Sequence, residues 1–184
     1  MPEEYRFKEE RFVIEPLMLW LKKAGWELQK PSHPTSAKGW DIEARRRKEC
    51  LLIEAKYISG SSISSLAGLV AAPLAKRDKR WNDPSWCCWA IGMRPQVERR
   101  GRHMYQIFFD YMARNSEFWK HYGEDLRMKY IFCVQAGEVT RIPFAAFLRM
   151  AKLYGGRANE KTPLEDRRRI AEGLLSRHLK RAVS

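Results

Sequence analysis

The sequence predicts an α/β fold: a mixed central β-sheet flanked by helices, with a helical C-terminal appendage. Short apolar runs rich in β-branched and aromatic residues predict strands at 51–57, 86–92 and 128–135. Segments with apolar residues at helical spacing separate these runs. We therefore predict a core over residues 1–142, followed by a helical extension over 143–184 that packs on the core or is appended to it.

The chain is the size of one domain and is strongly basic. It has 184 residues, with 35 Lys and Arg against 22 Asp and Glu, a formal net charge of +13. Seven Trp, seven Tyr and eight Phe favour a folded globule over a disordered chain. The charge makes nucleic acid the first candidate partner and an anionic membrane surface the second. A basic enzyme of unrelated function is a third interpretation.

The apolar segments and the cysteines indicate a cytoplasmic protein with no membrane partner. The N-terminus is charged, and no apolar run approaches the roughly 18 residues that a membrane span needs. The four cysteines lie in apolar strand-like runs without a CxxC pair. This pattern favours buried thiols over a zinc site.

The first predicted helix covers about residues 4–24. Its apolar stripe includes Phe12, Leu17 and Leu21. Pro16 predicts a kink or a fresh helix start, because proline lacks an N–H and disfavours helical geometry at the residue before it. Gly25 is expected to end the helix ahead of a short strand at 26–29.

The next stretch predicts a β-hairpin, with strands at 39–44 and 51–57 and a turn over 45–49. The midpoint between Asp41 and Glu54 falls between residues 47 and 48, so a regular hairpin sets these two carboxylates opposite each other, roughly 5 Å apart at Cβ. Alternation puts Glu54 and Lys56 on one side of the strand. Two carboxylates and a lysine are thus expected to converge.

Such a convergence needs compensation, because adjacent carboxylates repel and half-buried charges need partners. A divalent cation resolves the repulsion, since magnesium takes one or two carboxylates while keeping water and phosphate oxygens. The alternative is an Asp/Glu/Lys salt-bridge cluster on the exposed face of the hairpin.

The remaining segments predict alternating helices and strands. A helix after 61–62 carries Ile63, Leu66, Val70 and Leu74, and Pro73 predicts a break or a bend in it. The strand at 86–92 is apolar throughout, which predicts a central buried position. Most of the aromatic residues at 105–122 are expected in the core, with a few available to stack on bases or to form a dimer face.

Asp41, followed after twelve residues by Glu54-Ala55-Lys56, resembles the signature of the PD-(D/E)XK nuclease superfamily. The resemblance covers roughly residues 5–140, with Trp40 where the family usually has proline. It implies a restriction-endonuclease-like sheet with Mg²⁺ (or Mn²⁺) held by Asp41, Glu54 and the Ala55 carbonyl. It also implies that Lys56 orients or deprotonates the attacking water.

The resemblance further implies an acidic residue from the first helix at the metal. Glu10 is favoured for this role by its spacing to Pro16 and Gly25, while Glu9 and Glu15 stay open.

Basic residues near the predicted site are candidate nucleic-acid contacts. Lys38 lies in a Pro- and Ser-rich loop leading into Asp41 and is a candidate phosphate contact. The segment after the central strand adds four arginines that contact the phosphate backbone or form a solvated loop: Arg94, Arg99, Arg100 and Arg102.

These expectations favour a metal-dependent nuclease acting on DNA. The alternative is a catalytically silent nucleic-acid-binding module of the same fold, and a third class is a basic protein that binds proteins or anionic lipid. A homodimer, RNA as substrate, endo- or exonuclease action, and sequence- or structure-specific cleavage are open alternatives.

Overall fold

The computed structural model describes residues 3–29, 40–58, 64–76, 85–93 and 104–183. Its side chains are described at 10–29, 40–58, 67–75, 85–92 and 105–178. Within these residues the chain forms six strands and six helices.

Strands and helices alternate along most of the described chain. The strands are β1 (Glu27–Gln29), β2 (Ile42–Arg46), β3 (Glu49–Ile58), β4 (Ser85–Met93), β5 (Met128–Gln135) and β6 (Glu138–Pro143). The helices are α1 (Glu3–Lys23), α2 (Ser64–Lys76), α3 (Met104–Ala113), α4 (Ser116–Asp125), α5 (Phe144–Gly155) and α6 (Leu164–Val183).

The six strands form one mixed sheet in the order β1-β2-β3-β4-β5-β6. The pairs β3–β4 and β4–β5 are parallel, and the other pairs are antiparallel. The expected α/β architecture with a mixed sheet is confirmed. The strand at 85–93 is central, as its continuous apolar sequence predicted.

Helix α1 covers one face of the sheet with a different stripe from the predicted one. Val13, Leu17 and Leu21 are fully buried against this face, whereas Phe12 is 66% exposed. The placement of Phe12 in the stripe was wrong because it lies about 100° around the helix from Val13. Spacings of four residues keep Val13, Leu17 and Leu21 on one side.

The opposite face of the sheet is covered by the later helices. Trp89 of β4, Trp119 of α4, Phe147 of α5 and Leu174 of α6 belong to one buried cluster. The two C-terminal helices therefore share a hydrophobic core with the central strand.

The two internal prolines do not end their helices. Pro16 lies within α1 and Pro73 within α2. Proline removes one helical hydrogen bond, but the buried residues Val13 and Leu17 flank Pro16 and hold both halves of α1 on the sheet. The expected fresh start at Pro16 and break at Pro73 are not observed. Gly25 follows α1 with φ 77°, the left-handed cap that the sequence predicted.

The aromatic segment forms two helices, α3 and α4, and most of its rings are buried. Phe118 is an exposed exception. The cysteines Cys50, Cys87, Cys88 and Cys133 are buried free thiols, as predicted. Burial raises the pKa of both Cys88 and Cys133 to about 12. Among the described residues, no helix is long and apolar enough to cross a membrane.

Candidate functional site at the carboxyl end of β3

The candidate site lies where β3 continues beyond the start of β2. Antiparallel pairing runs from Arg46 opposite Glu49 to Ile42 opposite Ile53. Every pair has its midpoint between residues 47 and 48, so the predicted hairpin register is confirmed. The predicted turn over 45–49 was too long, because strand pairing continues to a two-residue turn. Arg47 occupies this turn with a left-handed φ of 54°.

Asp41 is anchored to β3 through both its backbone and its side chain. Its N–H donates to the carbonyl of Ile53 at 3.1 Å, although the ladder pairs Ile53 with Ile42. The backbone N–H of Ala55 donates to Asp41 Oδ2 at 2.6 Å. Strand β2 begins at Ile42, opposite Ile53, so no β2 residue lies opposite the backbone N–H of Ala55. The Asp41 carboxylate accepts the hydrogen bond from this N–H instead. Asp41 is thereby fixed beside the segment from Glu54 to Lys56.

The side chain of Glu54 points to the face of the sheet opposite α1, which the later helices cover. Its neighbour across the β3–β4 pair is Trp89. The hydroxyl of Tyr122 lies close by and donates to the carbonyl of Val70 at 3.0 Å. Burial raises the pKa of Tyr122, and the charge of Glu54 adds to that increase. Glu54 is therefore a half-buried carboxylate against an aromatic wall.

Lys56 is held by Glu10 of α1. Its Nζ donates to Glu10 Oε1 at 2.9 Å, and the two side chains are only 26% and 15% exposed. Alternation directs Lys56 to the same side as Glu54. Its long side chain can reach α1 because β2 stops opposite Ile53 and leaves this edge of β3 open. Glu10 therefore fixes the ammonium group at the strand end.

Close packing positions the N-terminal half of α1 at this end of the sheet. A Cβ placed on Gly92 of β4 would lie 2.6 Å from Val13 Cγ2. The Phe12 ring contacts the Tyr57 ring, with centroids 5.8 Å apart. Glycine at position 92 allows the helix to approach β4, and this approach brings Glu10 to Lys56.

The structure separates two of the three candidate glutamates in α1. Glu10 lies three residues before Val13, on the buried side of the helix. Glu15 lies on the solvent side and pairs with Arg11 at 2.9 Å. The side chain of Glu9 lies outside the described residues. We refer to Glu10, Asp41, Glu54, Ala55 and Lys56 together as the carboxyl-end site.

The candidate nucleic-acid contacts cannot be placed relative to this site. Lys38, Arg94, Arg99, Arg100 and Arg102 all lie outside the described residues.

The donor set of the carboxyl-end site suits a hard cation. Asp41 and Glu54 supply carboxylate oxygens, and Mg²⁺ commonly binds through one or two carboxylates together with water and phosphate oxygens. A carboxylate can accept several partners, so the bond from Ala55 to Asp41 is compatible with a further contact. Within the described ranges, no three His, Cys, Asp or Glu side chains are grouped closely enough to hold a metal ion by themselves.

Sequence reasoning missed two contacts of the site. Trp89 and Tyr122 line the surroundings of Glu54, but both belong to runs that predict ordinary core residues. The pairing of Glu10 with Lys56 was also missed, although the spacing of Glu10, Val13 and Leu17 places all three on one side of the helix.

Comparison of the chain with models of protein families, with curated protein sequences and with solved structures finds no match. The candidate site therefore rests on the geometry described above.

Proposed function

We propose that the protein is a divalent-metal-dependent nuclease that hydrolyses phosphodiester bonds in DNA, with a restriction-endonuclease-like core. One observation carries the proposal: Asp41, the Glu54–Lys56 segment and Glu10 meet at a single strand end, although they come from three separate elements. Half-buried charged groups need partners, and clusters of them occur preferentially at functional sites.

Asp41 and Glu54, with the Ala55 carbonyl, are the proposed ligands of Mg²⁺ or Mn²⁺. Asp41 is suited to this role because its bond from the Ala55 N–H restricts its orientation. When bound, a divalent cation polarises the scissile phosphate and lowers the pKa of a water molecule. The aromatic wall around Glu54 limits access of bulk water and strengthens its electrostatic interactions.

Lys56 is the proposed contact of the attacking water and of the charge that develops on the phosphate. An ammonium group held in place before the reaction stabilises such charge without reorganisation. Glu10 keeps this group in position through the 2.9 Å bond. In this proposal Glu10 positions Lys56. The family resemblance implies instead that Glu10 contacts the cation directly.

The charge of the whole chain favours a nucleic acid as substrate. The net charge of +13 offsets the repulsion between a polyanion and the three carboxylates of the carboxyl-end site. DNA is the proposed substrate, as the resemblance implies.

A catalytically silent nucleic-acid-binding module of the same fold is the second candidate. The observation that favours it is that Asp41 and Lys56 both have partners within the protein, the Ala55 N–H and Glu10. These bonds would support a purely structural role.

A cleavage assay separates the two candidates. Supercoiled, linear, single-stranded and branched DNA are incubated with Mg²⁺ or Mn²⁺ and with the wild type, Asp41→Asn, Glu54→Gln or Lys56→Met. Glu43→Gln is the matched control, since Glu43 lies two residues from Asp41 in the adjoining strand. We expect cleavage by the wild type and the control only. Absence of cleavage with retained DNA binding would support the binding module.

A thermal melt provides an independent test of metal binding. A ligand that binds only the folded state raises Tm, and above Kd the stabilisation grows with the logarithm of the ligand concentration. Mn²⁺ should raise the Tm of the wild type and of Glu43→Gln, but not that of Asp41→Asn/Glu54→Gln. An equal increase in Tm for all three proteins would mean that Mn²⁺ binds at a different site.

A further inference from the structure

A second charged region lies at the opposite end of β3. Its cations come from the tip of the β2–β3 hairpin, from the start of β5 and from Arg141 of β6, on or beside the face that α1 covers. Arg141 is aligned through Phe132 and Ala90 with Ala55, so it lies further along the sheet than the other cations. We call it the amino-end basic surface, and its members are Arg46, Arg47, Lys48, Arg127, Lys129 and Arg141.

Aromatic rings hold four of these cations in place. The Arg46 guanidinium lies 4.5 Å from the centroid of the Trp26 ring. Arg127 and Lys129 both lie 4.9 Å from the centroid of the Trp86 ring. Such contacts orient a guanidinium or an ammonium group. Arg46 also donates to the Ala24 carbonyl at 3.3 Å, and Lys129 donates to Glu49.

The stacking continues across the sheet to β6. Arg141 lies 4.9 Å from the Tyr130 centroid and 5.7 Å from the Trp20 centroid. Lys129 lies 5.5 Å from Tyr130. The cations are therefore arranged in fixed relative positions, which reduces the conformational entropy lost when a ligand binds them.

Positive charge dominates this region. Glu49 accepts from Lys129 and lies 3.7 Å from Arg46. The hydrogen bond from Lys129 keeps the pKa of Glu49 below its usual value, despite the opposing effect of desolvation. Glu49 thus neutralises one cation of the six, and the surface retains a positive excess.

A cavity of about 650 Å³ lies beside the hairpin tip. Among the described residues it is lined by Arg46, Arg47, Lys48 and Glu49. A concave site with converging cations suits a phosphate group better than a flat interface does.

We propose that the amino-end basic surface binds the sugar–phosphate backbone of the nucleic acid, a role that rests on the proposed function for its choice of ligand. Strand β2 connects this surface to the carboxyl-end site, running from Ile42, next to Asp41, to Arg46. The two ends are about 16 Å apart at 3.3 Å per residue, or about five base-pair steps.

The composition of the surface favours a nucleic acid over a membrane. Binding at a bilayer interface inserts exposed apolar side chains beside the cations. The rings here are covered by the cations themselves. The large exposed hydrophobic residues among the described side chains are elsewhere: Phe12, Leu19, Leu74, Phe118 and Leu153.

The test is binding of a fluorescent duplex of about 20 base pairs, long enough to span both ends, measured by anisotropy in EDTA so that no cleavage occurs. The variant is Arg47→Asn/Lys48→Gln/Arg141→Gln, whose three cations are exposed. Asn tolerates the left-handed backbone at position 47. The matched control is Lys120→Gln/Arg149→Gln/Lys152→Gln, which removes the same charge from exposed positions on α4 and α5. A charge-preserving variant is Arg47→Lys/Lys48→Arg/Arg141→Lys.

We expect the surface variant to bind about tenfold more weakly at about 0.1 M salt, with a slope of log K against log salt that is smaller by about 2 to 3. The control and the charge-preserving variant should stay within about threefold of the wild type. Equal weakening by the surface variant and the control, or no weakening by either, would overturn the proposal. So would loss of binding to vesicles of phosphatidylserine and phosphatidylcholine with DNA binding unchanged.

This binding measurement, combined with the cleavage assay, distinguishes the binding surface from the nuclease. If the wild type cuts DNA and the surface variant binds DNA as well as the wild type, the binding-surface proposal is wrong and the nuclease proposal stands. If the wild type cuts no DNA but the surface variant loses duplex binding, the nuclease proposal is wrong and the binding-surface proposal is supported.

Discussion

The two ends of β3 each carry a lysine–glutamate ion pair in opposite surroundings. Lys56 and Glu10 are mostly buried, beside the further carboxylates of the carboxyl-end site. Lys129 is buried to a similar extent as Lys56, but its partner Glu49 is 40% exposed and lies among the stacked cations of the amino-end basic surface. The same pair of residue types is thus embedded in excess negative charge at one end and in excess positive charge at the other. The sign of the neighbouring charge therefore determines whether the region around such a pair suits cation binding or phosphate binding.

The largest expected effect separates catalysis from binding. Asp41→Asn should lower kcat by about 10²- to 10³-fold, the scale of losing one preorganised electrostatic contact, with a small change in KM. Arg47→Asn/Lys48→Gln/Arg141→Gln should raise KM about tenfold, because it removes contacts that bind substrate and transition state alike. Steady-state cleavage kinetics measure both, with Glu43→Gln as the control. If both variants altered the same kinetic parameter, the two ends would not have separate roles.

The next effect concerns the approach of α1 to the carboxyl end. Gly92→Ala should reduce the free energy of unfolding by about 1–3 kcal/mol, because its Cβ would lie 2.6 Å from Val13 Cγ2. Gly68→Ala is the matched control: its Cβ would meet no atom within 4 Å, and it should stabilise α2 by about 0.5–1 kcal/mol. Urea unfolding measures both.

Adding Val13→Ala to Gly92→Ala should recover part of the loss, since it removes the clashing methyl group. A Gly92→Ala protein as stable as the wild type would mean that α1 is not closely packed against β4.

A comparison of the two ion pairs should give a smaller difference. Lys56→Met leaves Glu10, which is 15% exposed, without its amine and should destabilise the fold by about 1–3 kcal/mol. Lys129→Met leaves Glu49, which is 40% exposed, beside Arg46 and should change stability by less than about 1 kcal/mol. Denaturant titrations of both variants measure the difference.

Glu10→Gln added to Lys56→Met should restore stability in part, because the unpaired charge is removed. Equal destabilisation by Lys56→Met and Lys129→Met would show that the difference in burial between Glu10 and Glu49 has no energetic effect.

The smallest effect is a pH dependence at the amino end. The bond from Lys129 lowers the pKa of Glu49 from 4.5, so the folded state favours the ionised carboxylate. Its contribution to stability is therefore present above pH 4.5 and is lost as the pH falls through the lower folded pKa. Wild type and Glu49→Gln should differ in Tm at pH 7 and converge in more acidic buffer. Glu138→Gln, at an exposed position, is the control. A difference that grew with acidification would give the opposite sign and exclude this linkage.

Much of the fold could be predicted from local pattern. The hairpin register followed from the polar stretch at 45–49, because the centre of a regular hairpin turn, between Arg47 and Lys48, is the midpoint of every strand pair. The central strand, the two C-terminal helices and the buried thiols also followed from short apolar runs and helical spacing.

The buried stripe of α1 could not be chosen with the same certainty. Phe12 and Val13 are both apolar, and they lie on different sides of the helix. Packing of α1 on the sheet determines that Val13 is buried and Phe12 exposed. The same orientation of the helix places Glu10 against the sheet and leaves Glu15 in solvent.

The sequence by itself determined most of the elements and the hairpin register, which sets Asp41 beside the segment from Glu54 to Lys56, because these depend on residues close together in the chain. The tertiary structure decided which distant groups meet them. Glu10 reaches Lys56 and Lys129 reaches Trp86 across long sequence separations. Such contacts depend on how α1 crosses the sheet and on how β5 aligns with β4, which no local periodicity encodes.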